Sequence, residues 1–403
     1  MVRFLAIVSL AVAGSSGLLA QITTGDASRG EQLVRDRGCV GCHKLNGAGG
    51  NKASDLATRR SRDFTPADLA GVLWSHPPSA WTPAGAKSQG TTAITPAEGA
   101  DLFAFFASRR YFDPMGDARR GRRVFTSKHC STCHGITERI AKDAPAVVAW
   151  RSLRDPIGLA RDLWNCKAAM DPAYEKKGVH YPRLTAGEMN DLLIYLDNLV
   201  GIRSKEPKFE LVAGDSGRAE FQSLQCDSCH KDKRALDKRA DPISLAEVQA
   251  MMWNHVLTTP RATAKVNYDE MAGLVGYLWS LEPRGDPHRG ELAFEKKGCA
   301  ACHSDSAKGA PILNERDLSP VSLIAAVSTH GPAMRAEMKS KSLVWPRIGR
   351  AEIADMAAYL RTRVAQTFSL PRPDSSGRLL SRGCPLGPAG KSACATRFSP
   401  APA

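Results

Sequence analysis

The sequence predicts an all-α fold built from four tandem helical repeats, and three observations support that prediction. The pentapeptide Cys-x-x-Cys-His occurs four times along the chain. Each occurrence follows a Gly-Asp pair, in which the Asp is a suitable helix N-cap. Each is also followed by a segment whose apolar residues recur at helical spacing. One chance match would be expected in roughly one chain in a hundred, so four matches indicate one structural unit repeated four times.

The pentapeptide itself indicates covalently bound haem. The four copies are Cys39-Val-Gly-Cys42-His43, Cys130-Ser-Thr-Cys133-His134, Cys226-Asp-Ser-Cys229-His230 and Cys299-Ala-Ala-Cys302-His303. In this signature two thiols add to the porphyrin vinyl groups and the adjacent His binds the iron from one face. A zinc site would need the cysteine pairs to combine into four-ligand sites, and a redox dithiol would not need a His after every second Cys. We therefore expect four haem c groups, each with one of these His residues as its proximal ligand.

The start of each repeat has a common helical pattern. The Gly-Asp pairs are Gly25-Asp26, Gly116-Asp117, Gly214-Asp215 and Gly285-Asp286. A Gly lies nine residues before each first Cys, at Gly30, Gly121, Gly217 and Gly290, and a larger apolar residue lies five before it, at Val34, Phe125, Phe221 and Phe294. Residues four apart share a helix face. The small residue would allow another helix to approach closely, while the larger one fills the contact.

The end of each repeat is predicted to be a second helix that carries an aromatic residue. The apolar-periodic segments are Ala97–Phe106, Ala186–Leu196, Asp269–Leu278 and Ala351–Leu360, and their matching aromatics are Phe105, Tyr195, Tyr277 and Tyr359. Apolar positions at i, i+3, i+4 and i+7 are typical of an amphipathic helix.

Together, the first helix, the haem motif, a middle segment and the aromatic last helix resemble the class I cytochrome c domain over nearly all of residues 25–364. The resemblance implies four cytochrome c-like domains, each around one covalent haem, in which the first and last helices cross and pack beside it. The expected boundaries are 25–113, 114–203, 212–282 and 285–366, with a Pro-, Ser- and Gly-rich tail at 367–403. We call these four domains repeats 1 to 4.

The resemblance also implies a Met as the second axial ligand, from a loop before the last helix. Met170 and Met334 both lie twelve residues before the Pro of an aromatic-Pro pair, Tyr181-Pro182 in repeat 2 and Trp345-Pro346 in repeat 4. We expect His/Met ligation in these two repeats.

Repeats 1 and 3 have Ala80 and Thr259 at the Met position. His76 and His255, one helical turn earlier, are the natural substitutes. Bis-His ligation would leave these haems at lower potential than the His/Met pair, because the thioether raises the potential. An electron would then have a downhill direction through the protein.

The sequence leaves several rival ligands open. His330 shares the position of His76 although Met334 is present, so a His there could instead bond a haem propionate. Met338 competes with Met334, and Cys166 competes with Met170. Met251 could serve if the shortened loop of repeat 3 rearranges. The remaining residues are expected in the core (Met252, Met271) or in solvent (His129, His180, His288).

The first twenty residues are typical of a secretory signal peptide. Arg3 gives a positive start and Phe4–Ala13 is an apolar run, too short for a membrane span. We expect the mature chain to be periplasmic or otherwise exported, with no membrane span. Among the remaining cysteines, Cys384 and Cys394 could form a disulfide in that compartment, which would leave Cys166 as a free thiol.

The net charge and the motifs that the sequence lacks reduce the number of functions to consider. The formal charge of +14, reduced by about eight haem propionates, favours a redox partner with an acidic docking face. The sequence has no nucleic-acid motif and no catalytic constellation or nucleotide fingerprint. We expect an electron-transfer relay between redox partner proteins.

Two rival functions are a peroxidase- or reductase-like haem enzyme with an open axial site in repeat 1 or 3, and a cytochrome subunit of a periplasmic dehydrogenase. The sequence does not indicate an oligomeric state.

Overall fold

The computed structural model of the chain describes residues 23–57, 64–76, 94–112, 116–213, 217–236, 244–258, 265–280, 285–304 and 320–369. The predictions for the signal peptide (1–20), for Ala80, Asp215 and Thr259, and for the Cys384–Cys394 disulfide lie outside the described residues.

Helices dominate these ranges. The helices are α1 (Ala27–Asp36), α2 (Pro66–Trp74), α3 (Pro96–Phe112), α4 (Ala118–Ser127), α5 (Pro156–Asn165), α6 (Lys167–Lys177), α7 (Ala186–Asp197), α8 (Val200–Arg203), α9 (Arg218–Ser223), α10 (Leu245–Thr258), α11 (Tyr268–Ser280), α12 (Pro287–Lys296), α13 (Ala300–His303), α14 (Pro320–Ser340) and α15 (Arg350–Ser369). The short strands are β1 (Thr23–Asp26), β2 (Lys44–Leu45), β3 (Ala48–Gly49) and β4 (Glu210–Ala213). The expected all-α class is therefore confirmed.

The predicted Asp caps begin three of the four first helices. The Asp26 side chain accepts a hydrogen bond from the backbone amide of Arg29, and Asp117 does the same for Arg120. Asp286 accepts from the amides at the start of α12. These bonds satisfy amides that have no partner inside the helix.

The first and last helices of every repeat cross at the predicted glycine. A side chain at Gly30, Gly121, Gly217 or Gly290 would collide with a backbone carbonyl of the last helix, at Asp101, Asp191, Gly273 or Asp355 respectively. The larger residue of the pair packs beside this crossing. Phe221 lies 5.3 Å from Tyr277 and Phe294 lies 5.6 Å from Tyr359, measured between ring centroids. The prediction that the Gly allows the helices to approach and the larger residue fills the contact is confirmed.

A polar clamp that was not predicted from the sequence reinforces the crossing in three repeats. In repeat 2 the Asp191 carboxylate accepts from the backbone amide of Asp117 at 2.8 Å and from the Arg120 guanidinium. Asp101 with Arg29 and Asp355 with Arg289 repeat this arrangement. Repeat 3 has Ser216 and Gly273 at the two positions, so both members of the ion pair are absent together.

The connection between repeats 2 and 3 also contains structure that was not predicted. Its strand β4 pairs antiparallel with β1, with Thr24 opposite Val212 and Gly25 opposite Leu211. The segments that lead into repeats 1 and 3 therefore form one small sheet. At the other end of the chain, α15 continues to Ser369 and so extends past the expected end of repeat 4.

The chain divides into two compact bodies, 1–284 with 319–354 and 285–318 with 355–403. In the first body, α14 packs against α2 and α3 of repeat 1, while α10 of repeat 3 packs against α5 and α7 of repeat 2. Repeats 2 and 3 thus share a hydrophobic core, which joins residues such as Val147, Leu159 and Met189 to Ala250 and Trp253. In the second body, α12 packs against the later part of α15 through the Gly290 crossing.

Candidate haem-binding sites

All four Cys-x-x-Cys-His motifs adopt the same tight turn. In each, the backbone amide of the His donates to the carbonyl of the first Cys at 2.9 Å, closing the turn at His43, His134, His230 and His303. The residue before each first Cys has a left-handed conformation, at Gly38, His129, Gln225 and Gly298. Only the glycines adopt it without cost, so His129 and Gln225 carry a conformational cost at this position. This left-handed conformation was not predicted, because only two of the four positions have a Gly, the residue type that indicates it.

The thiols of these turns do not resemble those of a redox dithiol. Burial raises the pKa of the first thiol in every motif, to about 11 at Cys130 and by a smaller amount at Cys39, Cys226 and Cys299. Reactive dithiols instead have lowered pKa values. Within the described ranges, no three His, Cys, Asp or Glu side chains cluster as they would around a metal ion held by protein ligands alone.

The His of the motif is oriented by a backbone carbonyl in each of the first three repeats. The Nδ1 atom lies 2.7 Å from the Ser54 oxygen for His43, 3.0 Å from the Pro145 oxygen for His134 and 3.2 Å from the Arg234 oxygen for His230. Because a carbonyl only accepts, Nδ1 must carry the proton and Nε2 keeps its lone pair. A metal-ligating His is held in this way by an outer hydrogen bond.

In repeat 3, the fold brings His255 directly opposite His230. Their Nε2 atoms are 3.4 Å apart and their rings are nearly parallel, at an interplanar angle of 28°. His255 also directs its Nδ1 toward a carbonyl, that of Met251 at 3.3 Å. No pair of neutral imidazoles satisfies all three contacts, since both Nε2 atoms would then be acceptors. Burial, with His230 adding to the effect, lowers the pKa of His255, which makes a bridging proton unfavourable.

An iron ion between the two nitrogens would satisfy this arrangement. Two metal–imidazole bonds span roughly 4 Å, somewhat more than the observed 3.4 Å, so the rings would move slightly apart to hold the iron. The residues present therefore fit a haem iron held by two His side chains.

Repeat 1 has a related arrangement. The ring centroids of His43 and His76 are 5.9 Å apart at an angle of 45°. The Nδ1 of His76 lies 2.7 Å from the Val72 carbonyl, one turn earlier, just as His255 bonds Met251. Both candidate distal His residues are thus oriented by the carbonyl four residues before them.

The candidate Met ligands occupy the middle helices of repeats 2 and 4. Met170 lies in α6, half-buried against the core of repeat 2. Met334 is half-buried in α14, whereas His330, one turn earlier, is exposed. The competing residue Met338 is also half-buried.

The rival ligand Cys166 is held as a thiol. Burial raises its pKa to about 12, and its Sγ donates to the Leu163 carbonyl at 3.2 Å. Burial and this hydrogen bond both favour the protonated form of the side chain.

The remaining Met and His residues lie mostly where the sequence placed them. Met251 is half-buried, as is Met252, which does not reach the interior expected of it. Met271 is fully buried in α11, as predicted. The three His residues without a positional signature are exposed, also as predicted: His129, His180 and His288.

Comparisons with known proteins match three of the repeats to cytochrome families. A family model described as Cytochrome c matches residues 27–109 and 118–200, and one described as Cytochrome C oxidase, cbb3-type, subunit III matches residues 285–360. Searches of curated proteins and of solved structures each found no match.

No helix in the described part of the chain has both the length and the hydropathy to cross a bilayer. The matched ranges cover more than half of the sequence and coincide with repeats 1, 2 and 4, each of which contains the motif turn and the Gly crossing. The chain therefore belongs to the c-type cytochromes, as a haem-based electron-transfer protein with tandem cytochrome c domains.

Proposed function

We propose that this protein is an exported tetrahaem cytochrome c that relays electrons between redox partner proteins. The observation that carries the proposal is the placement of a second imidazole opposite the motif His in repeats 1 and 3. Bound haem would supply a reversible one-electron iron centre at each of the four motifs.

The chain supplies three kinds of ligand in this proposal. The eight motif cysteines attach the porphyrins, and His43, His134, His230 and His303 bind the iron from the proximal side. Met170 and Met334 complete the sites of repeats 2 and 4, while His76 and His255 complete those of repeats 1 and 3. The bonds from Nδ1 to backbone carbonyls keep the imidazoles of repeats 1 to 3 in the tautomer that presents Nε2.

The two kinds of distal ligand divide the sites by potential. A thioether ligand favours reduced iron relative to imidazole, so the Met-bearing repeats are the higher-potential sites. The raised pKa of Cys166 supports Met170 over the neighbouring thiol. The exposure of His330 supports Met334 over that His.

The charge on α4 supports an acidic partner. This helix has exposed arginines at Arg119, Arg122 and Arg123, and it leads directly into the Cys130 motif. The corresponding helices α1 and α12 mix acidic and basic residues. Complementary charge mainly speeds association. Reversing Arg122 and Arg123 to Glu should therefore slow electron exchange with an acidic partner, and this difference should disappear at high salt.

Two measurements test the proposal. Mass spectrometry of the mature protein should show four covalent haems and cleavage of the signal peptide. Electron paramagnetic resonance during a potentiometric titration should resolve two bis-His centres at low potential and two His/Met centres at higher potential. A colourless purified protein, or one whose mass matches bare polypeptide, would refute the proposal.

A matched pair of variants tests the distal ligands. His255→Ala should convert one low-spin centre to high spin, whereas His330→Ala, at the aligned position of a Met-bearing repeat, should leave every centre low spin. An unchanged spectrum for both His255→Ala and His76→Ala would show that the ligand assignment is wrong.

Carbon monoxide binding separates the relay from a haem enzyme. An enzyme with an open axial site would bind carbon monoxide in the reduced wild-type protein, and the facing imidazoles argue against such a site. The match of repeat 4 to an oxidase subunit family leaves a role as a cytochrome subunit of a larger complex as the second candidate. Copurification with a dehydrogenase or oxidase would favour that role.

A further inference from the structure

One bond recurs between two different pairs of repeats. The indole Nε1 of Trp253 in repeat 3 donates to the Pro182 carbonyl of repeat 2 at 2.7 Å. The Nε1 of Trp74 in repeat 1 donates to the Pro346 carbonyl of repeat 4 at 2.8 Å. The donors occupy equivalent positions, as do the acceptors. We call these contacts interface 2–3, formed by Trp253 and the segment at Pro182, and interface 1–4, formed by Trp74 and the segment at Pro346.

The aromatic residue before each Pro completes the contact. Tyr181 packs against Trp253 with ring centroids 4.8 Å apart, and Trp345 stacks on Trp74 at 4.5 Å. The Trp345 indole also donates to the Trp74 carbonyl at 3.1 Å. The aromatic-Pro pairs that align the two Met residues in sequence therefore hold the neighbouring repeat as well.

Interface 2–3 has the reciprocal form of a two-fold contact. The Asn254 amide bonds both the N–H and the C=O of Leu184, at 3.0 and 2.7 Å. Asn165 does the same for Val266, at 3.0 and 2.8 Å. The two asparagines occupy equivalent positions in their repeats, as do Leu184 and Val266, so each repeat offers the same patch to the other.

Each Trp lies two residues before a candidate distal His. The helix α2 ends at Trp74, and His76 follows its last turn. In repeat 3, His255 lies in the last turn of α10, which ends at Thr258. Helix ends have the least internal support, because their last carbonyls have no partner within the helix and they open most readily. The position of each His thus depends on what anchors the preceding turn.

In both cases the Trp before the His is held by a residue of a different repeat. Trp253 is 6% exposed and Trp74 is 8% exposed. Trp253 belongs to the hydrophobic core that also contacts Cys130, Met170 and Tyr181 of repeat 2. The core that buries this Trp is therefore that of the neighbouring repeat.

We propose that Trp74 and Trp253 are positioning residues that make distal ligation in one repeat depend on its partner. Trp253 holds the His255 turn against repeat 2, and Trp74 holds the His76 turn against repeat 4. Each bis-His repeat is thereby coupled to one Met-bearing repeat, in the pairs 1–4 and 2–3. This inference rests on the proposed function, since it concerns the same His ligands.

Two substitutions in the holoprotein test the proposal. Trp253→Phe keeps a buried ring but removes the bond to Pro182, and Trp253→Leu removes the ring as well. Losing a hydrogen bond of ordinary strength should shift the ratio of His-bound to His-free iron in repeat 3 by about 2- to 10-fold, and Leu should shift it further. Carbon monoxide binding to the reduced protein and the high-spin signal of the oxidised protein both measure this ratio.

Trp345→Phe is the matched control. Trp345 donates its indole N–H to the Trp74 carbonyl in interface 1–4, so its replacement should leave the repeat 3 signal unchanged. If Trp253→Phe and Trp253→Leu lower the unfolding temperature but leave the spin state and carbon monoxide binding unchanged, Trp253 is only structural and the proposal is wrong. His255→Ala distinguishes this failure from failure of the ligand assignment, because that variant must still change the spectrum if His255 binds iron.

Discussion

Interfaces 2–3 and 1–4 join equivalent parts of the repeats, but their polar contacts differ. In interface 2–3 an Asn on each side bonds both backbone groups of the opposite residue. In interface 1–4 hydroxyls bond the corresponding backbone residues, from Ser75 at the aligned position and from Ser328, one residue before it. Ser328 bonds Ile94 at 2.7 and 3.2 Å, while Ser75 reaches the Ile348 carbonyl only at 3.5 Å.

This difference follows from the chemistry of the two side chains. An amide has separate donor and acceptor atoms, so one Asn satisfies an N–H and a C=O together. A hydroxyl has one proton, and that of Ser328 is shared between the carbonyls of Ile94 and Ala325. Together with the core shared by repeats 2 and 3, this makes interface 2–3 the more strongly specified of the two contacts.

The largest expected effect comes from removing the buried indoles. Trp253→Ala should destabilise the paired repeats 2 and 3 by about 3–5 kcal/mol, the usual range for a buried Trp, because it opens a cavity in a shared core. Trp74→Ala should have a smaller effect, since Trp345 can move into the vacated space. Urea unfolding followed by circular dichroism measures both, with each transition fitted separately. Equal losses in the two variants would show that the shared core adds nothing to interface 2–3.

The side-chain hydrogen bonds across the two interfaces give the second prediction. Asn254→Ala leaves the backbone N–H and C=O of Leu184 without their side-chain partner, which should cost about 1–3 kcal/mol. Ser75→Ala, at the aligned position of repeat 1, should change stability by less than about 0.5 kcal/mol, because its bond is long. Thermal unfolding of the two variants under identical conditions makes the comparison. A Ser75→Ala loss as large as that of Asn254→Ala would contradict the ranking of the interfaces.

The smallest expected effect is on the pH dependence of stability. It distinguishes repeat 2, which has the Asp191 carboxyl, from repeat 3, which lacks it. Burial alone would raise the pKa of Asp191, but the bonds from Arg120 and the Asp117 amide outweigh it and lower the pKa overall. A carboxyl whose pKa is lowered by folding stabilises the protein above the ordinary Asp pKa, and that contribution is lost as the pH falls below about 4. Asp191→Asn should therefore cost about 1 kcal/mol at neutral pH and progressively less in acid.

The comparison of wild type with Asp191→Asn at about pH 7 and about pH 3 isolates this contribution from the titration of unrelated groups, including the propionates. Repeat 3 has Gly273 at the same position and offers no such carboxyl. A stability difference between the two proteins that stays constant across this range would show that the ionised form of Asp191 does not matter.

Local features of this protein were predictable because they depend on residues close in sequence. Asp26 caps α1 because a short polar side chain reaches an amide three residues later. The Gly30 crossing was predictable from the four-residue spacing to Val34.

The Arg–Asp clamps and the left-handed residue before each motif escaped prediction for different reasons. The Arg–Asp clamps could have been found by aligning the four repeats, since Arg29 and Asp101 recur in repeats 2 and 4 and are absent together from repeat 3. The left-handed residue at His129 could not, because Gly38 and Gly298 at two of the four positions are the only signal for it.

The chemistry of this protein is determined by its sequence alone, since Cys-x-x-Cys-His is a contiguous unit whose turn closes through its own backbone bonds. The candidate distal ligands His76, Met170, His255 and Met334 were also readable from their spacing along the repeat. Which repeat pairs with which was decided only by the tertiary structure. Trp253 and Pro182 are far apart in the chain, and nothing in either segment identifies its partner. That choice depends on the summed burial and hydrogen bonding of whole surfaces, which exist only once each repeat has folded.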